Sequence, residues 1–283
     1  MKQTLCSVAS NMEVMPGIHL MWIEAPNIAS SVQPGQFITV RCGDFTLRRP
    51  FSVHQASPLT GEDSGEGEIA LLFKVAGKGT LWLSQRQTSE RIDILGPLGE
   101  GFSIEPRARN LLLVAGGIGI APLVLLAQHA SSQHQITLIH GASTAAQLYP
   151  SAMPKTGPSS AGKKRSKLSP LPKGVQFIPV TEDGSMGKKG MATDILPDLL
   201  DWADQVYACG PADMYKAMAE MSRRAKQSNL KLRKCQVSLE VRMGCGFGAC
   251  YGCTINTKKG LKQVCRDGPV FELDDIIWQE VRI

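Results

Sequence analysis

Four of the chain's eight cysteines crowd into one stretch. Cys245, Cys250, Cys253 and Cys265 follow the spacing C-x4-C-x2-C-x11-C within 21 residues. The first three positions match the plant-type 2Fe–2S arrangement, whose fourth ligand arrives later in the chain. A loop that wraps a cluster must turn several thiolates inward while its N–H groups point at the sulfurs. That requires small residues, and Gly244, Gly246, Gly248, Ala249 and Gly252 supply them. Four cysteines also satisfy tetrahedral zinc, although zinc sites usually present two separate short C-x2–4-C pairs, and Cys265 stands alone. Cys235 lies ten residues upstream of the cluster stretch and falls outside the spacing, while Cys6, Cys42 and Cys209 are scattered.

Two further sets of residues could hold a nucleotide. The segment Val114 to Leu123, VAGGIGIAPL, joins an apolar run to a helical pattern through Gly116, Gly117 and Gly119. Glycines at such a turn let the backbone approach a pyrophosphate, whose charge favours the helix N-terminus. A close-packed strand–helix junction without a ligand would use the same residues. Cys209, Gly210 and Pro211 form a second strand end opening onto a helix; Cys209 also reads as a buried small hydrophobe. Arg48 to Ser52, RRPFS, offers a guanidinium for a pyrophosphate, an aromatic ring for an apolar heterocycle and a hydroxyl for a reactive ring. Its bland alternative is a strand-edge proline turn with solvent-facing arginines. Gly77, Lys78, Gly79 and Thr80 follow a strand and offer N–H groups for the same phosphates.

The elements that must position these residues divide the chain in two. Gln36–Arg41, Ile69–Val75 and Arg91–Leu95 are short, branched and apolar, separated by Gly- and Pro-containing turns, and predict an antiparallel barrel or sandwich. From Leu111 the pattern alternates. Leu111–Ala115, Ile136–His140, Val175–Val180 and Gln205–Cys209 read as buried strands, with Val237–Val241 as a last one. Helices are expected at Ala121–Ala130, Met191–Leu200 and Pro211–Lys226, the last with Met214, Met218 and Met221 along one face. Alternation of this kind means a parallel sheet with nucleotide chemistry at its strand ends.

The net charge of +6 suggests nucleic acid or membrane until its location is examined. Lys155, Lys163, Lys164, Arg165, Lys167 and Lys173 lie between Pro150 and Gly174 with no acidic residue, and elsewhere 25 basic residues meet 25 acidic ones. That segment is rich in Pro, Ser and Gly and reads as a solvated insertion. The most apolar stretch, Leu111 to Ala127, is interrupted by glycines and Pro122 and falls short of the roughly 20 apolar residues of a membrane span. The opening MKQTLCSVASNMEVMPG lacks the apolar core of a signal peptide. A cytoplasmic protein is expected, with neither nucleic acid nor membrane as partner, and cysteines used for ligation or redox chemistry rather than disulfides.

Together the motifs resemble the ferredoxin reductase-like flavoproteins, and within these the electron-transfer subunits of type B, NAD-dependent dihydroorotate dehydrogenases. The resemblance runs through RRPFS at 48–52, FKVAGKGT at 73–80, GPLGEGF at 96–102, VAGGIGIAPL at 114–123, TEDGSMGKKG at 181–190 and ACGP at 208–211. SLEVRMGCGFGACYGC at 238–253, followed by VCRDGPVF at 264–271, is its most specific part. It implies an antiparallel flavin-binding β-barrel over 1–104, a Rossmann-like NAD-binding domain over 105–236 with 150–174 inserted, and a small 2Fe–2S domain over 237–283. FAD contacts are implied at Arg49, Pro50, Phe51 and Ser52, at Leu72, Phe73 and Lys74, and at Gly79 and Thr80. Gly116, Gly117, Gly119, Cys209, Gly210 and Pro211 would line the nicotinamide nucleotide site, and Cys245, Cys250, Cys253 and Cys265 would bind the cluster.

The same resemblance implies a division of labour. Nicotinamide exchanges electron pairs as hydride and a 2Fe–2S cluster exchanges single electrons, so FAD, which does both, belongs between them. The implied partner is an FMN-containing dihydroorotate dehydrogenase catalytic subunit, in a heterotetramer serving pyrimidine biosynthesis. Related modules serve sulfhydrogenases and ferredoxin-linked NAD(P) transhydrogenases. Two features depart from the pattern: the basic insertion, and changes near the cysteines, with Val241 where an acidic residue is expected and Tyr251 and Gly252 varying within the cluster loop. No histidine is needed as a base.

Overall fold

The computed structural model describes residues 1–57, 67–149, 171–227 and 234–281. The basic run from Lys155 to Lys167 lies outside them.

The first half builds one antiparallel sheet. Its strands are β1 (Lys2–Met15), β2 (Ile18–Glu24), β3 (Phe37–Arg41), β4 (Arg49–Ser52), β5 (Gln55–Ser57), β6 (Glu68–Lys74) and β7 (Arg91–Leu98), with the short helices α1 (Pro26–Ala29) and α2 (Lys78–Ser84) in the connections. The spatial order is β4-β3-β7-β1-β2-β6-β5. The two edge strands, β4 and β5, are separated in sequence only by Val53 and His54. Val53 N–H donates to Gln36 O and His54 N–H to Ala70 O, so the chain steps directly from one edge of the sheet to the other and rolls it into a barrel. Alternation fills the interior with Val8, Met21, Ile23, Ile38, Val40, Ile69, Leu71 and Ile94. The opposite face of β2 and β6, carrying Leu20, Trp22, Ala70 and Leu72, packs on the second half of the chain.

That half is a doubly covered sheet. Strands β8 (Asn110–Gly116), β9 (Gln135–Ala142), β10 (Val175–Thr181), β11 (Lys188–Lys189), β12 (Gln205–Cys209) and β13 (Lys234–Ser238) alternate with helices α3 (Ile120–Ala130) and α4 (Ala212–Gln227). The order is β11-β10-β9-β8-β12-β13, all parallel, and the antiparallel β16 (Val270–Glu272) closes the edge beside β13. Leu111, Leu113 and Ala115 face α3, while Leu112 and Val114 face α4. Burying each of these leucines on both sides is worth about 1.5–3 kcal/mol. Helix α3 is apolar all round because it is sandwiched: Leu123, Val124 and Ala127 meet the sheet side, and Leu125 enters the barrel core. Between β13 and β16 lies the cysteine-bearing excursion, with the hairpin β14 (Thr254–Thr257) and β15 (Gly260–Gln263) and the single turn α5 (Val264–Asp267).

Two sequence expectations fail. The helix expected at Met191–Leu200 is only a pair of 3-10 turns, Ala192–Asp194 and Pro197–Leu199. Pro197 has no N–H to give to Thr193 O, and Asp194 turns back to accept from Met191 N at 2.7 Å, so the hydrogen-bond ladder never propagates. The last parallel strand is Lys234–Ser238 rather than Val237–Val241. Parallel pairing with β12 stops here, Leu239 N–H still bonds Pro269 O in register with β16, and the chain from Leu239 to Met243 then turns along a cavity wall.

Candidate functional site: a cavity shared by three elements

A cavity of about 1110 Å³ opens where the barrel, the parallel sheet and the cysteine excursion meet. One wall is β4, with Arg49, Pro50, Phe51 and Ser52; a second is the end of β6, with Leu72, Phe73 and Lys74. Ile118 and Ala121 border it from the glycine turn, and Gly252 and Cys253 from the cluster loop. Its volume exceeds what a small ligand needs and suits an extended dinucleotide.

The two adjacent arginines behave differently. Arg48 is committed to the barrel: its guanidinium bonds Asp93 Oδ2 at 2.7 Å and the Asp93 carbonyl at 3.2 Å. Arg49 bonds only the Leu47 carbonyl, lies 5.8 Å from the Phe45 ring centroid, and has no carboxylate partner among the described residues. A cation held at a cavity wall without a counter-charge is suited to an anionic ligand. Arg49 also packs directly on Gly79, where a Cβ would stand 3.0 Å from its Nε. The phosphate turn expected at 77–80 is thereby brought to Arg49, just beyond the cavity lining. Thr80 Oγ1 accepts from Ala76 N–H and Gly77 N–H, at 2.9 and 3.1 Å, and so shapes this turn. Phe51 meets Phe73 edge to face at 5.6 Å, which fixes the ring at the cavity floor.

At the sheet's carboxyl edge the strand ends of β8 and β12 are neighbours, with Ala115 paired to Cys209. Close packing dictates most of the glycines there. A Cβ on Gly119 would overlap the Cys209 carbonyl, and one on Gly116 would stand 2.6 Å from Pro211 Cδ. Gly117 differs, with φ at +54° and open space above it. Cys209 is 1% exposed and packs with Leu113 and Ala115, and burial pushes its thiol well up. Two buried neutral histidines clamp this junction. His140 Nε2 donates to Gly117 O at 3.0 Å and Nδ1 accepts from Tyr149 N–H, while His54 Nδ1 donates to Ala121 O at 2.9 Å and Nε2 accepts from the Tyr149 hydroxyl. Burial lowers both to about 4.

The cluster loop is built for sulfur. Gly248 N–H points at Cys265 Sγ at 3.1 Å, Ala249 N–H at Cys245 Sγ at 3.2 Å, and Cys245 N–H at Cys250 Sγ at 3.4 Å. Gly246 and Gly248 adopt φ of +80° and +91°, and Tyr251 is held at +59°, a conformation that costs a non-glycine about 1–2 kcal/mol. Burial disfavours the Cys245 thiolate, but N–H groups of Phe247, Cys250 and Ala249 outweigh it and bring its pKa down to about 6. Cys253 and Cys265 are buried with sulfurs 3.2 Å apart; burial, then the neighbouring sulfur, pushes Cys265 up to about 12. The thiols form two pairs, Cys245 with Cys250 and Cys253 with Cys265, which fits a binuclear cluster with two thiolates per iron. Cys235 on β13 is half-buried and packs against the core, its thiol raised by burial and then by Glu272 and Asp274.

Sequence reasoning read Val237–Val241 as a strand and placed no cofactor contact between Leu239 and Met243, yet this stretch lines the cavity. Its Glu240 is reached by water through the cavity although protein packs closely round it, and burial raises its carboxyl. The signal was there in SLEVRM, immediately after a strand and before Cys245.

A barrel whose edge strand faces a nucleotide-type sheet across a dinucleotide-sized cavity defines a ferredoxin reductase-like oxidoreductase, here with an iron–sulfur loop added. Residues 113–220 match the oxidoreductase NAD-binding domain, and residues 240–277 match the iron–sulfur cluster binding domain of dihydroorotate dehydrogenase B. The dihydroorotate dehydrogenase B (NAD(+)) electron transfer subunit of Desulforamulus reducens is 37% identical, with 94% of this chain and 95% of the relative covered. That of Caldanaerobacter subterraneus subsp. tengcongensis is 35% identical, covering 96% and 97%. The solved structure of an NADH-dependent reduced ferredoxin-NADP oxidoreductase superposes with a TM-score of 0.78 at 27% identity, over 98% of this chain and 91% of that one. A ferredoxin NADP+ reductase from Neisseria gonorrhoeae shares the fold, with a TM-score of 0.59 at 17% identity over 79% and 92%. The chain belongs to the family of dihydroorotate dehydrogenase B electron transfer subunits.

Proposed function

We propose that this chain is the electron-transfer subunit of a cytoplasmic dihydroorotate dehydrogenase complex. It would link an FMN-containing catalytic subunit to NAD+ in pyrimidine biosynthesis, within a heterotetramer. Bound FAD supplies the exchange between hydride and single electrons, and a bound 2Fe–2S cluster supplies single-electron carriage. The chain's own residues hold and separate these groups. Arg49, supported by Gly79 and the Thr80-shaped turn, neutralises the pyrophosphate of FAD. Pro50, Phe51, Ser52, Leu72, Phe73 and Lys74 form the bed of its ring system. Gly117, with Gly116, Gly119, Cys209, Gly210 and Pro211 packed behind it, presents backbone to the nicotinamide nucleotide. Cys245, Cys250, Cys253 and Cys265 hold the cluster. The domain boundaries proposed from sequence (1–104, 105–236 and 237–283) remain our working division, with β16 returning from the last segment to the middle sheet.

The observation that carries this reading is the cavity, whose lining includes both the Arg49–Ser52 strand and Cys253 of the cluster loop. Flavin and cluster would then be neighbours with no intervening layer. The opposite side of the loop faces outward: Cys250 is exposed, flanked by Phe247 at 47% and Tyr251 at 69% exposure. Exposed aromatic rings beside a redox ligand suit a protein partner. No helix among the described residues is long and apolar enough to cross a membrane.

Purified alone, the full chain with its cofactors should reduce an artificial dye with NADH and show no turnover of dihydroorotate with any acceptor. Dihydroorotate oxidation by the isolated chain would contradict the assignment.

A further inference from the structure

Thr39 sits on β3, one residue pair from the flavin strand, opposite Pro50 on β4 and Leu95 on β7. Its neighbours Ile38 and Val40 point into the barrel, so Thr39 shares the outer face with Phe37. Phe37 packs in the same core as Cys253 and Cys265. Thr39 is 1% exposed, and its hydroxyl has no hydrogen-bond partner among the described residues. It is not part of the cavity lining. Its Cγ2 instead abuts Gly246, the residue after Cys245, where a Cβ would stand only 2.9 Å away.

A buried hydroxyl left without a partner costs about 1–3 kcal/mol, and valine would fill the same volume without that cost. The hydroxyl is therefore best explained by an acceptor that the polypeptide does not provide. We propose that Thr39 donates its hydroxyl to a sulfur of the cluster bound by this loop, and so tunes the cluster's potential from the flavin barrel. The inference rests on the cluster assignment above. The reduced cluster carries the greater negative charge, and a donor to its sulfur stabilises that state and raises the reduction potential. Thr39 is thus a tuning residue on the barrel strand that abuts the cluster loop, outside the cavity lining.

Two substitutions separate the hydroxyl from the methyl. Thr39→Val keeps the shape and removes the donor; Thr39→Ser keeps the donor and removes the methyl that meets Gly246. The readout is the cluster midpoint potential of the full chain, from a redox titration followed by electron paramagnetic resonance, with iron and acid-labile sulfide counted in each variant. Thr39→Val should retain full iron and sulfide and shift the potential to a more negative value. Thr39→Ser should stay near the parent, and the flavin potential should move in neither. An unchanged cluster potential in Thr39→Val overturns the proposal, as does a larger shift in Thr39→Ser than in Thr39→Val, which would make Thr39 a packing residue only. If Thr39→Val fails to hold the cluster, deuterium exchange of the parent decides. Fe–S stretching frequencies that move further in D2O in the parent than in a cluster-bearing Thr39→Ala protein, where only the backbone N–H groups remain, support the bond; identical isotope responses refute it. Loss of cluster in the cysteine variants described below, with Thr39 unchanged, would fault the ligand assignment separately.

Discussion

The chain uses cysteine and glycine together in two places, and they do opposite work. In the cluster loop, Gly246 and Gly248 turn the backbone so that N–H groups face sulfur, Cys250 is exposed, and the Cys245 thiol is lowered to about 6. At the nucleotide junction, Gly116 and Gly119 exist so that two backbones can touch, and Cys209 is sealed in an apolar core that raises its thiol. The contrast shows that a residue type in a motif announces neither ligation nor reactivity. What differs is that backbone N–H groups and further sulfurs converge on the loop cysteines, the buried Cys253 and Cys265 included, whereas apolar side chains close over Cys209.

The largest effect should come from breaking the cluster loop. Cys253→Ser should lose all iron and acid-labile sulfide by chemical assay, while Cys235→Ser, in the core strand β13, should keep both. Full occupancy in the first, or equal loss in the second, would erase the distinction between ligand and core cysteines.

Acid should unfold the sealed region first. His54 and His140 are depressed from 6.5 to about 4 in the folded chain, so both are neutral there and protonate more readily when unfolded. Their contribution is intact above about pH 6.5 and is lost as pH falls toward 4, by up to about 3 kcal/mol each. Urea midpoints measured across that window should show a slope that is smaller in His140→Gln. An identical slope in the variant would remove His140 from the clamp.

Smaller effects distinguish glycines within the junction. Gly119→Ala forces a methyl onto the Cys209 carbonyl and should cost about 3 kcal/mol in chemical denaturation. Gly117→Ala meets nothing but requires φ of +54° and should cost about 1–2 kcal/mol. Its main consequence should be weaker nucleotide binding by titration. Unchanged nucleotide binding in Gly117→Ala would show that Gly117 does not give the nucleotide access to the backbone.

The iron–sulfur domain was legible because its four closely spaced cysteines and its small residues are local, within one short segment. The parallel sheet was legible for a similar reason: strands buried on both faces are continuous apolar runs, as in Leu111–Ala115. The barrel's opening was not. Strand β1 buries only one face, mixes Ser, Asn and Glu with its apolar residues, and carries irregularities at Val8/Ser10 and Glu13/Met15 that interrupt the period of two. Strands β4 and β5 are too short to show a period at all. The cavity wall at Leu239–Met243 depends on where β13 stops pairing with its non-local neighbour β12, which the apolar run Val237–Val241 does not reveal. Thr39 carries no sequence signal, because its significance lies in a missing partner.

The central claim is that electrons pass through the cluster loop into the shared cavity. The direct measurement is dihydroorotate:NAD+ activity on mixing the full chain with an FMN-containing catalytic subunit, run beside the NADH–dye reaction for parent and Cys253→Ser. The account predicts that the parent gains coupled activity on mixing. Cys253→Ser should lose that coupling almost entirely while retaining its NADH–dye rate. Coupled turnover by the cluster-free variant at the parent's rate would contradict it.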